Sequence, residues 1–181
     1  MKHLPIASFN DFAAAYPPAI IQSPNLTSER AILNEESPPL ALVSKSYGRN
    51  KAVAWLLNIL AEWQTAMPVP GKMPPVQLQF LSENICKEFY YLRASEVLLF
   101  LRQLMGGKFA VNWYGQLNPD TIIQAIREFF IPFREGIITR DEQKKKAEQP
   151  PSTPITWEQY CKNHNLPPRP SPLSVSLDSL E

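Results

Sequence analysis

Proline sets the strongest limit on what this chain can fold into. Nineteen of its 181 residues are proline, about twice the ordinary share of roughly 5%. Each one fixes φ and lacks a backbone donor, so helices start at these positions, stop before them or bend at them. A central strand cannot hold them at all. Only six residues are glycine, which argues against a glycine-hinged sandwich or a phosphate-cradling nucleotide fold. What remains is a set of helices punctuated by proline. A core is within reach, because 44% of the residues are hydrophobic and a domain of about 150 residues hides roughly 70% of its unfolded surface.

The first part of the chain reads as short helices between prolines. Ser8 and Asp11 frame one that stops at Pro17-Pro18, a second runs from about Thr27 to Asn34, and Pro39 opens a third that ends near Gly48. The core pattern is stronger. Asn50 is placed to cap a helix from Lys51 to about Ala66, with Val53, Leu56, Leu57, Leu60 and Trp63 on one side. Pro68, Pro70, Gly71 and Pro74 break the chain, and Pro75 opens the next helix. In that helix Leu78, Leu81, Ile85, Phe89 and Leu92 form a narrow helical stripe. Ser95 is placed to cap a third core helix that reaches Met105 and is apolar nearly all round, so it should be the central one. Gly106-Gly107 ends it.

Lys108 to Gln116 reads as an aromatic-rich loop or small hairpin. Asn118-Pro119-Asp120 then supplies a cap, a first-turn proline and a first-turn acid for a fourth core helix. Its inward positions are Ile122, Ile126, Phe129, Phe130 and Phe133, and Pro132 should kink it or end it near Phe130. From Asp141 onward the composition is that of a linker and a proline-rich, serine-rich tail, with one amphipathic turn around Trp157 to Tyr160. The expected fold is therefore all-α: a compact bundle of about four core helices, edged by short N-terminal helices and followed by a flexible proline-rich C-terminal tail. Residues 1–47 form the N-terminal segment packed on the core, residues 48–140 the helical core, and residues 141–181 the linker and mostly disordered tail, with a short helix near 156–163.

Charge narrows the partners. The net charge of +1 excludes a strongly basic nucleic-acid coat and an acidic decoy. The modest positive excess sits in residues 48–140, with ten basic and seven acidic groups. No apolar run has the length of a signal peptide or a membrane span; the longest strongly apolar one is Val97 to Leu101. Cys86 and Cys161 imply no disulfide framework. The expectation is a cytoplasmic protein with no membrane partner.

The order and spacing of several short motifs carry a likeness. They are Tyr47-Gly48 with Ala52, Lys72-Met73-Pro74-Pro75-Val76-Gln77, Tyr90-Tyr91-Leu92-Arg93-Ala94-Ser95-Glu96-Val97, Gly107-Lys108-Phe109, Tyr114-Gly115, and Asp120 to Ile123. Over about residues 47–135 the chain resembles an uncharacterised family of small helical proteins frequent in Bacteroidetes genomes, phages and integrated mobile elements. Members of that family often carry a glycine where Ala110 stands here, so the turn after Phe109 departs from the pattern. The resemblance implies no activity. It suggests a mobile-element protein that serves DNA replication or transfer.

No catalytic constellation emerges from the residues. His3 and His164 lie in opposite tails, and neither cysteine has a second ligand nearby, so no metal is expected. Gly106-Gly107-Lys108 lacks the earlier glycine and the following hydroxyl of a phosphate loop. Cys86 has no histidine in the core to activate it and reads as a structural thiol. No enzyme and no cofactor are expected.

Two surfaces have a functional character. Arg93, Lys108, Phe109, Trp113 and Tyr114, with Arg127 and Arg134, combine cations that track phosphates with rings on which bases stack; alternatively the rings fold the loop over the bundle and the cations are solvated. Trp55 faces the polar side of its helix, and Trp157 with Tyr160 forms a short docking-peptide pattern between proline-rich stretches; alternatively Trp55 is covered by an N-terminal helix and the tail turn packs on its own domain. The leading expectation is a non-enzymatic adapter or accessory that binds another protein. The alternative is direct single-stranded nucleic-acid binding, with DNA as the partner, through the basic-aromatic loop.

Overall fold

Ser8 caps the first helix, α1 (Phe9–Ala15): its Oγ accepts the Asp11 amide at 3.2 Å and donates to the Asp11 carboxylate at 2.7 Å. In the computed structural model, residues 8–148 and 157–165 are described. Among them the chain is all-α, with no strand and two isolated bridges. A 3-10 turn at Pro18–Gln22 follows α1, and α2 (Ser28–Ile32) is capped by Thr27. Next come α3 (Leu40–Tyr47), α4 (Arg49–Ala66), α5 (Pro75–Glu88), α6 (Ala94–Met105) and α7 (Pro119–Ala125). A π-turn at Ile126–Phe130 leads into α8 (Ile131–Glu148), and α9 covers Trp157–Asn163. Contacts divide the chain after Asp141, within α8.

The apolar pattern dictates the layering. α6 buries almost every residue from Ala94 to Leu104, as its all-round hydrophobicity requires. The 3-10 turn and α2 pack on it. Trp63 of α4 reaches it through a hydrogen bond from Nε1 to the Leu101 carbonyl at 2.9 Å. α5 lies against α4 and α7 and turns Leu78, Leu81 and Ile85 into the core; the helix ends at Glu88, so Phe89 and Leu92, expected on the same helical stripe, are buried from the turn that follows. Phe12 of α1 is fully buried, its ring 5.2 Å from that of Trp55.

Helix ends follow local chemistry, with one long-range exception. Gly48, at φ +94°, ends α3 and starts α4, so α4 begins at Arg49 instead of after an Asn50 cap. Lys72 reaches back to the open end of α4, its Nζ 2.6 Å from the carbonyls of both Gln64 and Met67. Past α6, Gly107 takes φ +67° while its amide and that of Lys108 return to the carbonyls of Leu104 and Gln103, a Schellman end. Gly71 abuts the loop before α7, where a Cβ would lie 2.8 Å from the Gly115 carbonyl oxygen.

The exception is the start of α6. Ser95 is not its cap: the helix begins at Ala94, and Ser95 is an internal residue whose amide donates to Ser37 Oγ at 3.0 Å. Its own hydroxyl donates to the Ala31 carbonyl at 2.7 Å. The cap thus comes from a residue 58 positions away, while Glu96 reaches back to the Arg93 amide at 2.7 Å. Of the two outcomes expected at Pro132, a kink or an end, the structure excludes the end. The helix does not end near Phe130; it passes through the π-turn and runs on to Glu148. A proline ring collides with the carbonyl four residues earlier, here that of Glu128, and the wide turn spanning that residue accommodates it.

Candidate functional site

The loop from Lys108 to Gln116 is tied down mainly through its rings. Phe109 stacks on Phe129 at 5.8 Å and 13°, and lies 6.3 Å from Phe100 in the core. Trp113 is half-buried, edge-on to Trp63 at 6.5 Å. Lys108 lays its ammonium 3.7 Å from the centre of the Phe133 ring, a cation–π contact, and burial pulls its pKa below the ordinary lysine value. Tyr114 stands apart, 89% exposed.

The arginines go to three different places. Arg93 donates through one guanidinium nitrogen to the carbonyls of Glu35 and Ser37, each at 2.9 Å. Arg134 pairs with the fully buried Glu96, Nε to Oε1 at 2.6 Å, and lies 5.9 Å from the Tyr91 ring. Glu96 therefore holds the backbone of Arg93 and the side chain of Arg134 together. Burial pushes its carboxyl above the ordinary range, against the lowering pull of those two partners. Arg127 pairs with Glu88 of α5 at the surface. The structure thus brings Lys108 and Phe109 to one aromatic cluster, and Arg93 and Arg134 to one carboxylate.

Of the three aromatics read as partner-binding, Trp55 is 4% exposed, with its indole nitrogen bonded to the Tyr16 carbonyl at 2.9 Å. Its cover is α1, through Phe12. Tyr160 is exposed on α9, its ring 4.4 Å from that of His164. The side chain of Trp157 lies outside the described residues.

A third surface escaped the sequence reading. On α5, Val76 is 73% and Phe80 54% exposed, four residues apart and so on one face. Tyr90 and Tyr91, in the turn that follows, are also exposed and meet edge-to-face at 5.7 Å. Between α4 and α5 runs a cleft of about 410 Å3, walled by Arg49, Val53, Ala54, Leu57, Gln79 and Glu83. The signal was present in the sequence: Val76 and Phe80 are large apolar residues that miss the Leu78–Leu92 stripe. Cys86 is buried on the same helix, and burial pushes its thiol up to about 11, so it is no ready nucleophile at neutral pH.

No described helix is long and apolar enough to cross a membrane. The model of a family of unknown function matches residues 72–168, just over half of the chain. No curated protein and no solved structure matches it.

Proposed function

The chain belongs to the family of unknown function DUF6633, and from that premise we propose that it is a non-enzymatic adapter that binds another protein. The observation that carries this reading is the outer face of α5. Val76 and Phe80 stand open to solvent beside the α4–α5 cleft, with Tyr90 and Tyr91 in the turn beyond. Large apolar and aromatic side chains grouped on a surface are what protein interfaces use as anchors. The competing nucleic-acid reading has less to work with. Lys108, Arg93 and Arg134 are engaged with a ring, backbone carbonyls and a buried carboxylate, and Arg127 is paired. The family likeness drawn from the motifs adds the setting: an accessory to DNA replication or transfer, in a mobile element or phage, working in the cytoplasm.

The test is capture from the lysate of the source cell on immobilised full chain. Phe80→Asp places a charge in the centre of the face without touching the core, so folding should be unchanged. It should lower the amount of specific partner retained by at least about tenfold, the scale of a central interface residue. Equal capture by the folded variant would overturn the reading. Truncation after Glu148 separates the contribution of α9 and Tyr160: unchanged capture would mean that the tail has no docking role.

A further inference from the structure

A second cleft, of about 210 Å3, lies where the 108–116 loop meets α7 and the π-turn. Its walls include Asn112 and Tyr114 from the loop, and Thr121, Gln124, Glu128 and Phe129 from the helical side. The volume is below the roughly 300–1,000 Å3 of pockets for drug-sized ligands, which points to a single side chain as occupant.

The chemistry of the walls defines that side chain. Glu128 is the one charged residue among the described walls. Its Oε1 accepts the Gln124 amide at 2.8 Å, which orients the carboxylate, and Oε2 makes no hydrogen bond among the described residues. Phe129 offers a ring held in place by its stacking on Phe109. Tyr114 is held at φ +46° with its amide on Asn112 Oδ1 at 3.1 Å. For a tyrosine that left-handed backbone is unfavourable, and an 89% exposed ring returns nothing to the core. Strained residues of this kind concentrate at binding sites, as π-turns do.

Neither nearby cation meets this need, since Arg127 is paired with Glu88 and Lys108 lies on Phe133. We infer that the cleft between the 108–116 loop and the π-turn receives an arginine side chain from a partner polypeptide. The guanidinium meets Glu128 Oε2 and is flanked by the rings of Phe129 and Tyr114. A guanidinium suits the cleft better than an ammonium, because it is planar, stacks on rings and spreads its donors towards a carboxylate and the neighbouring Gln124 and Thr121 oxygens. A phosphate-bearing strand is disfavoured there by the same carboxylate. The partner's being a protein rests on the adapter reading; the chemistry of the cleft does not.

The probe is N-acetyl-arginine amide, titrated into the isotope-labelled full chain and followed by backbone and side-chain amide resonances. The expected result is saturable shifts at Tyr114 and the Gln124 side chain. Glu128→Gln should weaken the affinity about tenfold, the worth of one charge-assisted contact, and Tyr114→Ala a few-fold. N-acetyl-glutamine amide should produce neither shift. Absent shifts, or shifts indifferent to Glu128→Gln, would overturn the inference. So would an oligothymidylate that shifts the same resonances and binds more tightly to Glu128→Gln, since that marks a nucleic-acid site. Failure of the adapter reading shows up elsewhere, as capture unaffected by Phe80→Asp, and leaves this titration standing.

Discussion

Trp63→Ala should lower the unfolding free energy by about 3–5 kcal/mol. Trp63 is 2% exposed, bonds through Nε1 to the Leu101 carbonyl and meets Trp113 edge-on. Truncation opens a large cavity between α4 and α6 and removes the ring on which the loop rests. In a chain of this size such a loss lowers the melting temperature by roughly 10 °C. Trp63→Phe keeps most of the volume and forfeits the hydrogen bond, so it should cost about 1–2 kcal/mol. Chemical denaturation of both variants checks the order. A loss below about 1 kcal/mol for Trp63→Ala would mean that α4 does not anchor the central helix in this way.

The second large effect centres on Glu96. Glu96→Ala strips the Arg93 amide of its cap and leaves Arg134 without its partner, and breaking a buried pair costs about 3–5 kcal/mol. The lower end of that range, about 3 kcal/mol, applies because the Arg134 side chain keeps 20% of its surface in water. The pH dependence has a definite sign. Burial raises the folded carboxyl above its ordinary value, so the folded state holds the proton more tightly than the unfolded chain. The stability linked to that proton is fully present below the ordinary glutamate range and is lost as pH rises through the folded value. The stability of the native protein relative to Glu96→Gln, which cannot ionise, should therefore fall as pH rises from about 4 to 7. A gap that widens over that interval would show that Arg134 and the Arg93 amide outweigh burial.

The parts of the fold legible in the sequence are those governed by neighbours in the chain. The Leu78–Leu81–Ile85 stripe, the all-apolar α6, Pro75 at the first turn of α5 and the Asn118 cap of α7 all act over a few residues, and the structure has each in its expected place, whereas Phe89 and Leu92 are buried from the turn after the helix ends at Glu88. The parts that escaped depend on partners far along the chain. Ser95 resembles a cap, yet the oxygen that serves the first turn of α6 belongs to Ser37. Arg134 resembles a free cation until α8 brings it to Glu96, 38 residues away. Pro132 resembles a kink or a stop, because sequence patterns describe an α-helix and carry no sign of a π-turn that accommodates the ring.

The candidate site divides in the same way. That the 108–116 segment is an aromatic loop follows from its residues, and both fates of its rings were open. In the structure Phe109 and Trp113 are half-buried against core rings, and Tyr114 is exposed. Val76 and Phe80 carried a signal in being apolar off the stripe. Reading it needed the knowledge that no other described helix covers them.

The central proposal is that Lys108, Phe109, Trp113 and the arginines serve the fold and bind no nucleic acid. It is tested most directly by fluorescence anisotropy of a labelled single-stranded oligonucleotide, titrated with the full chain at about 50 mM and about 200 mM salt. The account predicts no salt-sensitive binding at micromolar protein, with Lys108→Ala and Trp113→Ala indistinguishable from the native chain in this assay. Micromolar binding that weakens with salt, and weakens again in both variants, would contradict it.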